Sequence, residues 1–224
     1  MANPTLDWHL VFRSDPYQGF PVEKYELDLQ GWNAHPVIFD RLIAETQPHV
    51  VIEVGTWKGV SAILFADALK RQNLTGRVIC VDTWLGALEF WTNEMPDLDR
   101  YAALALCHGY PQVYYQFLAN VILSGHRDAI IPLPNTSQIA ARFLRRHAIH
   151  AELIYIDASH DERDVYADLV DYWQLLNPNG IMFGDDFGNK DFPGVRSAVE
   201  RFARERSLML NVIGGWYWLL QYPQ

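Results

Sequence analysis

The sequence predicts an α/β fold: a doubly wound sheet of seven strands, mostly parallel, closed by an antiparallel hairpin at the C-terminus. Three observations predict it. Short Val/Ile-rich runs alternate with longer amphipathic stretches over residues 49–206, the pattern of parallel strands with helices on both faces. The run Val50-Val51-Ile52-Glu53-Val54 passes through Gly55-Thr56-Trp57-Lys58-Gly59 into a helix-forming stretch, so a buried strand feeds a tight turn and a helix. Residues 208–213 and 216–222 flank Gly214-Gly215, which reads as two antiparallel strands across a two-residue turn.

The elements follow in order. Residues 1–33 carry Pro4, Pro16, Gly19 and Pro21 among Trp8, Phe12, Tyr17, Phe20, Tyr25 and Trp32. Such a stretch is too apolar to be simply disordered; it reads as a lid or as an arm on a partner subunit, ahead of one domain over 34–224. A helix is expected at 34–47, where Val37, Ile38, Leu42 and Ile43 recur at helical spacing and Pro48 follows. Strands are expected at 49–54, 77–82, 128–133, 152–157, 180–185, 208–213 and 216–222, and further helices at 59–72, 111–124, 137–147, 162–176 and 194–206. The least regular stretch, 83–110, holds Trp84, Trp91, Tyr101, His108 and Tyr110. It is either a functional loop at the carboxyl edge of the sheet or a small aromatic core.

Composition narrows the classes. With 224 residues, 50% hydrophobic and 20% charged, the chain has the size and make-up of one large globular domain. A net charge of −9 argues against nucleic acid as a partner. Arg142, Arg145, Arg146 and His147 form the densest basic cluster and read as a solvated helix face. Cys80 and Cys107 make no disulfide framework, and Cys80 falls in an expected buried strand. The N-terminus lacks a signal-peptide pattern and no apolar run is long enough to span a membrane, so a soluble cytoplasmic protein is the expectation.

Gly55 lets a ligand approach the main chain, and the helix after Gly59 directs unpaired N–H groups at the same spot. The turn lacks the G-x-G-x-x-G of dinucleotide sites. Its acid comes first, at Glu53, and favours a cationic or hydroxyl-rich ligand over phosphate. A second run, Val78-Ile79-Cys80-Val81, ends in Asp82, where such sheets hydrogen-bond a ribose. Glu53-x-Gly55-x-x-x-Gly59 followed by Asp82 resembles the first motifs of class I S-adenosylmethionine-dependent methyltransferases. The resemblance implies a Rossmann-like fold with this cofactor held by Glu53, Gly55, Thr56, Trp57, Gly59 and Ser61, with Asp82, Thr83 and Trp84 at the ribose and adenine. Thr136 or Ser137, after the third strand, would meet the adenine, or equally serve as a helix N-cap.

A second constellation ends the fourth and fifth strands: Asp157-Ala158-Ser159-His160 and Gly184-Asp185-Asp186. Three carboxylates side by side require a cation, a shared proton or basic neighbours, and oxygen ligation suits Mg²⁺, Ca²⁺ or Mn²⁺. Asp157, Asp185 and Asp186 match the metal positions of catechol-type and macrolide-sugar O-methyltransferases. The stretch from Asp157-x-x-His160 through Val165-x-x-Asp168 to Gly184-Asp185-Asp186 is similar to a broad family of small-molecule methyltransferases. Asn179 stands where that family has a glycine, a place where Asn tolerates left-handed geometry. His160 reads as a general base with a pKa near neutrality, or as a helix cap or partner of Asp161. Asp157 serves cofactor, metal and catalysis together.

The expected activity is therefore methyl transfer from S-adenosylmethionine to a small molecule, at oxygen, assisted by Mg²⁺ or another divalent metal, by a His base, or by both. A metal-independent N- or O-methyltransferase and a non-catalytic binding domain of the same fold are the alternatives. A nicotinamide oxidoreductase is disfavoured by the missing glycine turn. A homodimer or higher oligomer is compatible with the aromatic arm.

Overall fold

The computed structural model describes residues 6–31, 36–92 and 99–223. Pro4, Trp32, the first two residues of the expected 34–47 helix and residues 93–98 of the irregular stretch lie outside them. The strands are β1 Val50–Val54, β2 Arg77–Asp82, β3 Ile130–Pro134, β4 Ala151–Ile156, β5 Leu176–Gly184, β6 Met209–Ile213 and β7 Tyr217–Gln221. The helices are α1 Pro36–Thr46, α2 Val60–Arg71, α3 Leu88–Thr92, α4 Arg100–Ala103, α5 Val113–Leu123, α6 Ser137–Arg146, α7 Glu162–Trp173 and α8 Pro193–Glu205. The sheet order is β3-β2-β1-β4-β5-β7-β6. The first five strands in that order are parallel, and β7 is antiparallel to both β5 and β6. The expected architecture stands.

Strand pleating divides the core. Val51, Val78, Cys80, Leu153, Tyr155 and Phe183 face α1, α2 and α5. Ile52, Val54, Ile79, Val81, Ile154 and Met182 face α6, α7 and α8. Side chains two apart share a face, so Glu53 belongs with Val51 in the first layer, beside Cys80 and Tyr155 in register.

Three local expectations are corrected. Ile213 pairs with Tyr217, so the hairpin loop has three residues, with Gly214 at φ 62° and Gly215 at φ 75°. Asn179 lies inside β5, in the stretch between Leu176 and Ile181 where the pairing with β4 shifts register, and its φ is not positive, so it needs no left-handed geometry. Residues 83–110 contain the short helices α3 and α4 and a Cys107–Tyr110 bridge.

The N-terminal segment packs on its own chain. Leu6, Leu10 and Val11 lie against the α6–α8 layer, whereas Tyr17, Phe20 and Leu29 lie against the α1/α2/α5 layer. The segment thus crosses from one face of the sheet to the other at the β3 edge. There Tyr17, 3% exposed, donates its hydroxyl to Ile130 O at 2.9 Å, and Asp15 pairs with Arg127 at 3.2 Å. Covering an edge strand in this way removes a template for foreign pairing.

Candidate active site

The carboxyl ends of β1, β2, β3 and β4 open into one cavity of about 820 Å³, within the range of small-molecule sites. Gly55 sits at its floor with φ 85°, and a Cβ there would strike the Asp157 carbonyl, so only glycine lets β1 and β4 end this close together. Trp57 and Trp84, at φ 51° and 54°, and Asp186, at φ 60°, are non-glycine residues held in left-handed backbone around the same space. Strain of this kind clusters at ligand sites.

Asp82 organises the turn after β1. Its Oδ2 accepts from the Thr56 and Trp57 amides at 2.9 and 2.8 Å, and Oδ1 accepts from Trp84 N at 2.7 Å. Burial pushes its pKa up against these donors. The same carboxylate lines the cavity. Glu53 works from beneath. It is fully buried and accepts from Thr56 Oγ1 at 2.9 Å, from Ser61 Oγ and, weakly, from Cys80 Sγ at 3.5 Å. Burial raises its pKa to about 7.

The β4 and β5 ends carry the acids. Tyr155 donates to Asp157 Oδ2 at 3.1 Å. Asp185 is pushed well up by burial and by the charges of Asp157 and Asp186, and it hydrogen-bonds to Asp157, whose own pKa is raised by burial and by Asp186. His160 lies between two carboxylates, with Nδ1 at 2.9 Å from Glu89 Oε1 and Nε2 at 3.2 Å from Asp186 Oδ2. Its ring stacks on Phe192 at 3.7 Å. Burial favours the neutral ring, but the bonds to Asp186 and Glu89 win and lift its pKa to about 9. The His160 imidazolium therefore offsets part of the carboxylate charge.

Ligating atoms of Asp157, His160 and Asp186 lie within 4.8 Å of one another. Carboxylate oxygens with one imidazole suit a divalent ion such as Mn²⁺ or Mg²⁺ once His160 is neutral, so these residues fit a metal. This group differs from the expected set at one position. Asp185, 6% exposed, hydrogen-bonds to Asp157 beside the group, and His160 is the additional member.

A methyltransferase domain model matches residues 52–187, which span both constellations. The chain belongs to this methyltransferase family. Similar solved structures include the O-methyltransferase NovP, at TM-score 0.62 and 16% identity over 84% of this chain and 79% of that one. An O-methyltransferase from Bacillus cereus, in complex with SAH, gives TM-score 0.59 and 15% identity over 89% and 86%. The calicheamicin methyltransferase CalS11 gives 0.60 and 16% over 84% and 77%. No curated protein matches the chain by sequence. The class I S-adenosylmethionine-dependent methyltransferase assignment and the Rossmann-like fold both hold.

Within this methyltransferase frame, Gly55, Thr56, Trp57, Ser61, Asp82, Thr83, Thr136, Ser137, Asp157, His160, Asp185 and Asp186 all line the cavity. Glu53, Gly59 and Trp84 do not. The pleat turns Glu53 under α2. Gly59, at φ 90°, caps α2 behind the turn. Trp84, expected beside the adenine, is 2% exposed, packs on Tyr114 and Phe117, and donates Nε1 to Trp57 O at 2.8 Å. Thr136 is the N-cap of α6 as well as a wall residue. His160 neither caps α7 nor pairs with Asp161, which is itself the N-cap. Glu89, Arg100, Tyr155, Phe192 and Gly31 also line the cavity and carried no signal in the sequence. Glu89 and Arg100 come from the irregular stretch, where no periodicity marks an inward side chain.

Proposed function

We propose that the chain transfers the methyl group of S-adenosylmethionine to a hydroxyl oxygen of a small acceptor that is neutral or cationic. The observation that carries this reading is the Asp157–His160–Asp186 cluster at one end of a cavity whose other walls are the Gly55 turn, Asp82 and the loop after β3. The sulfonium cation favours the acid-lined end, and the ribose hydroxyls suit the Asp82 carboxylate in the cavity wall. Glu89, Asp161, Asp185, Asp186 and Asp191 surround the space left for the acceptor, with Arg100 and His160 as the basic groups there. That surplus of carboxylates disfavours phosphorylated or carboxylated acceptors.

In the reaction the acceptor oxygen attacks the methyl carbon in line, the carbon–sulfur bond breaks, a neutral thioether leaves, and the hydroxyl proton passes to the enzyme. Asp157 and Asp186 orient the acceptor hydroxyl, and Phe192 fixes the His160 ring. At neutral pH His160 holds its proton between Glu89 and Asp186; it accepts another group's proton only after losing that one. Asp157, His160 and Asp186 would hold a divalent ion, which supplies a lowered pKa at the acceptor hydroxyl.

The deciding experiment is a hydroxyl-acceptor screen with and without EDTA, reading production of S-adenosylhomocysteine, alongside calorimetric titration with S-adenosylhomocysteine and NAD. Binding of the first without the second, and turnover that chelation abolishes and Mn²⁺ or Mg²⁺ restores, are the expected results. Tight NAD binding alone would sink the reading. Full turnover in excess EDTA would leave the His160 base without metal.

A further inference from the structure

The turn that faces the cofactor cavity also carries Lys58, and this side chain points away from the cavity into the N-terminal segment. The ammonium is buried, and Nζ donates to Asp28 Oδ2 at 2.6 Å and to Gln30 Oε1 at 2.8 Å. Asn120 in α5, fully buried, completes the junction. Its Oδ1 accepts from Asp28 N at 3.0 Å, and its Nδ2 donates to Asp28 O at 2.7 Å and to Lys58 O at 2.8 Å. Asn120 therefore satisfies Asp28 as a neighbouring strand would, and ties it to the turn in the same contact. Residues 26–31 form no helix or strand of their own, so these side-chain bonds take the place of a backbone ladder.

The segment then reaches the cavity. Gly31 lines it, riding so close on Val60, the first residue of α2, that a side chain at Gly31 would collide. Thr56 and Trp57, next to Lys58, line the same cavity.

We propose that Lys58 is a positioning residue that latches residues 28–31 onto the turn before α2, so that this segment closes one wall of the cofactor cavity. The inference rests on the methyltransferase reading of that cavity. Lifting residues 28–31 breaks the Lys58 bonds to Asp28 and Gln30 and the Asn120 bonds to Asp28 together, so the latched and unlatched segments are discrete arrangements. A ligand that fills the cavity against Gly31 favours the latched one, and by linkage the latch favours the ligand by the same factor.

The test uses the full chain and S-adenosylhomocysteine. Lys58→Met and Asp28→Ala are each expected to raise its Kd by about tenfold, within the usual span of such couplings, and the double variant to bind no worse than the weaker single one. Gly31→Ala, which lifts the segment off Val60 without touching the ion pair, is expected to raise Kd in the same direction. Saturating S-adenosylhomocysteine is expected to slow tryptic cleavage after the exposed Lys24 in the wild type and to protect Lys58→Met less. Variants that lose thermal stability yet keep the wild-type Kd within about twofold, far short of such a coupling, overturn the inference, as does cleavage indifferent to ligand. A wild type that binds no S-adenosylhomocysteine overturns the methyltransferase reading and the inference together.

Discussion

Asp82 and Glu53 divide one task between two sides of a turn. Asp82 gathers three amides on the cavity side, while Glu53 anchors the Thr56 and Ser61 hydroxyls from below. Asp82→Ala should weaken S-adenosylhomocysteine binding by about 1–3 kcal/mol, the scale for stranding polar groups, and unchanged affinity would remove Asp82 from the ribose role. Glu53→Gln should cost stability more than affinity, since its carboxylate is fully buried and does not line the cavity; a chemical-denaturation midpoint measured beside the Kd separates the two. His160 gives a pH signature. With its pKa lifted to about 9, it is protonated at pH 7, so a His160-based mechanism without metal should gain rate as pH climbs through that value. A rate already flat from pH 7 upward would exclude His160 as the proton acceptor.

At the scale of elements, the N-terminal segment is part of the folded body. Tyr17 sits in the core and satisfies the Ile130 carbonyl on β3. Tyr17→Phe should cost about 1 kcal/mol, the net worth of one buried hydrogen bond, measured by denaturant unfolding. Removing residues 1–30 takes away Tyr17, Phe20, Leu29 and the partners of Lys58 together, so the truncated chain should melt lower and lose cofactor affinity. A truncation with wild-type melting and binding would show the segment to be dispensable. The strand–helix alternation was readable because buried parallel strands are continuous Val/Ile runs bounded by Gly and Pro. The arm was not, because its fixed course depends on contacts with Gln116, Asn120 and Ile130, far along the chain.

For the whole molecule, buried acids set the response to pH. Glu53 and Asp168 both rise to about 7, chiefly through burial, from the ordinary carboxylate range. The native state therefore binds more protons than the unfolded chain across that interval, and stability falls as pH rises through it. His160 adds to the trend at higher pH, since its imidazolium is favoured in the fold up to about 9. Melting temperature should accordingly be higher near pH 5 than near pH 8, and Asp168→Asn should flatten the slope. A profile that rises toward pH 8 would contradict this.

What the sequence conveyed about the site follows the same physics. The convergence of Asp157 with Asp185 and Asp186 was legible because acids at adjacent parallel strand ends must meet; that His160 joins Asp157 and Asp186 was not. Glu53 was misplaced by one step of pleat parity, visible in its two-residue spacing from Val51. Trp84 was misplaced because an aromatic after a strand-end acid can turn to either side, and the Trp57 carbonyl decides which. Glu89 was missed because only the folded α3 brings it to His160.

The crossing of the β3 edge by the N-terminal segment has a consequence in time. Tyr17 and Ile130 are 113 positions apart in the chain, and Asp28 and Asn120 are 92 apart. During synthesis the segment leaves the ribosome well before β3 and α5, and it has no docking surface until both have been made and packed. Contacts of such sequence separation are slow to form, so the segment docks only after β3 and α5 are in place.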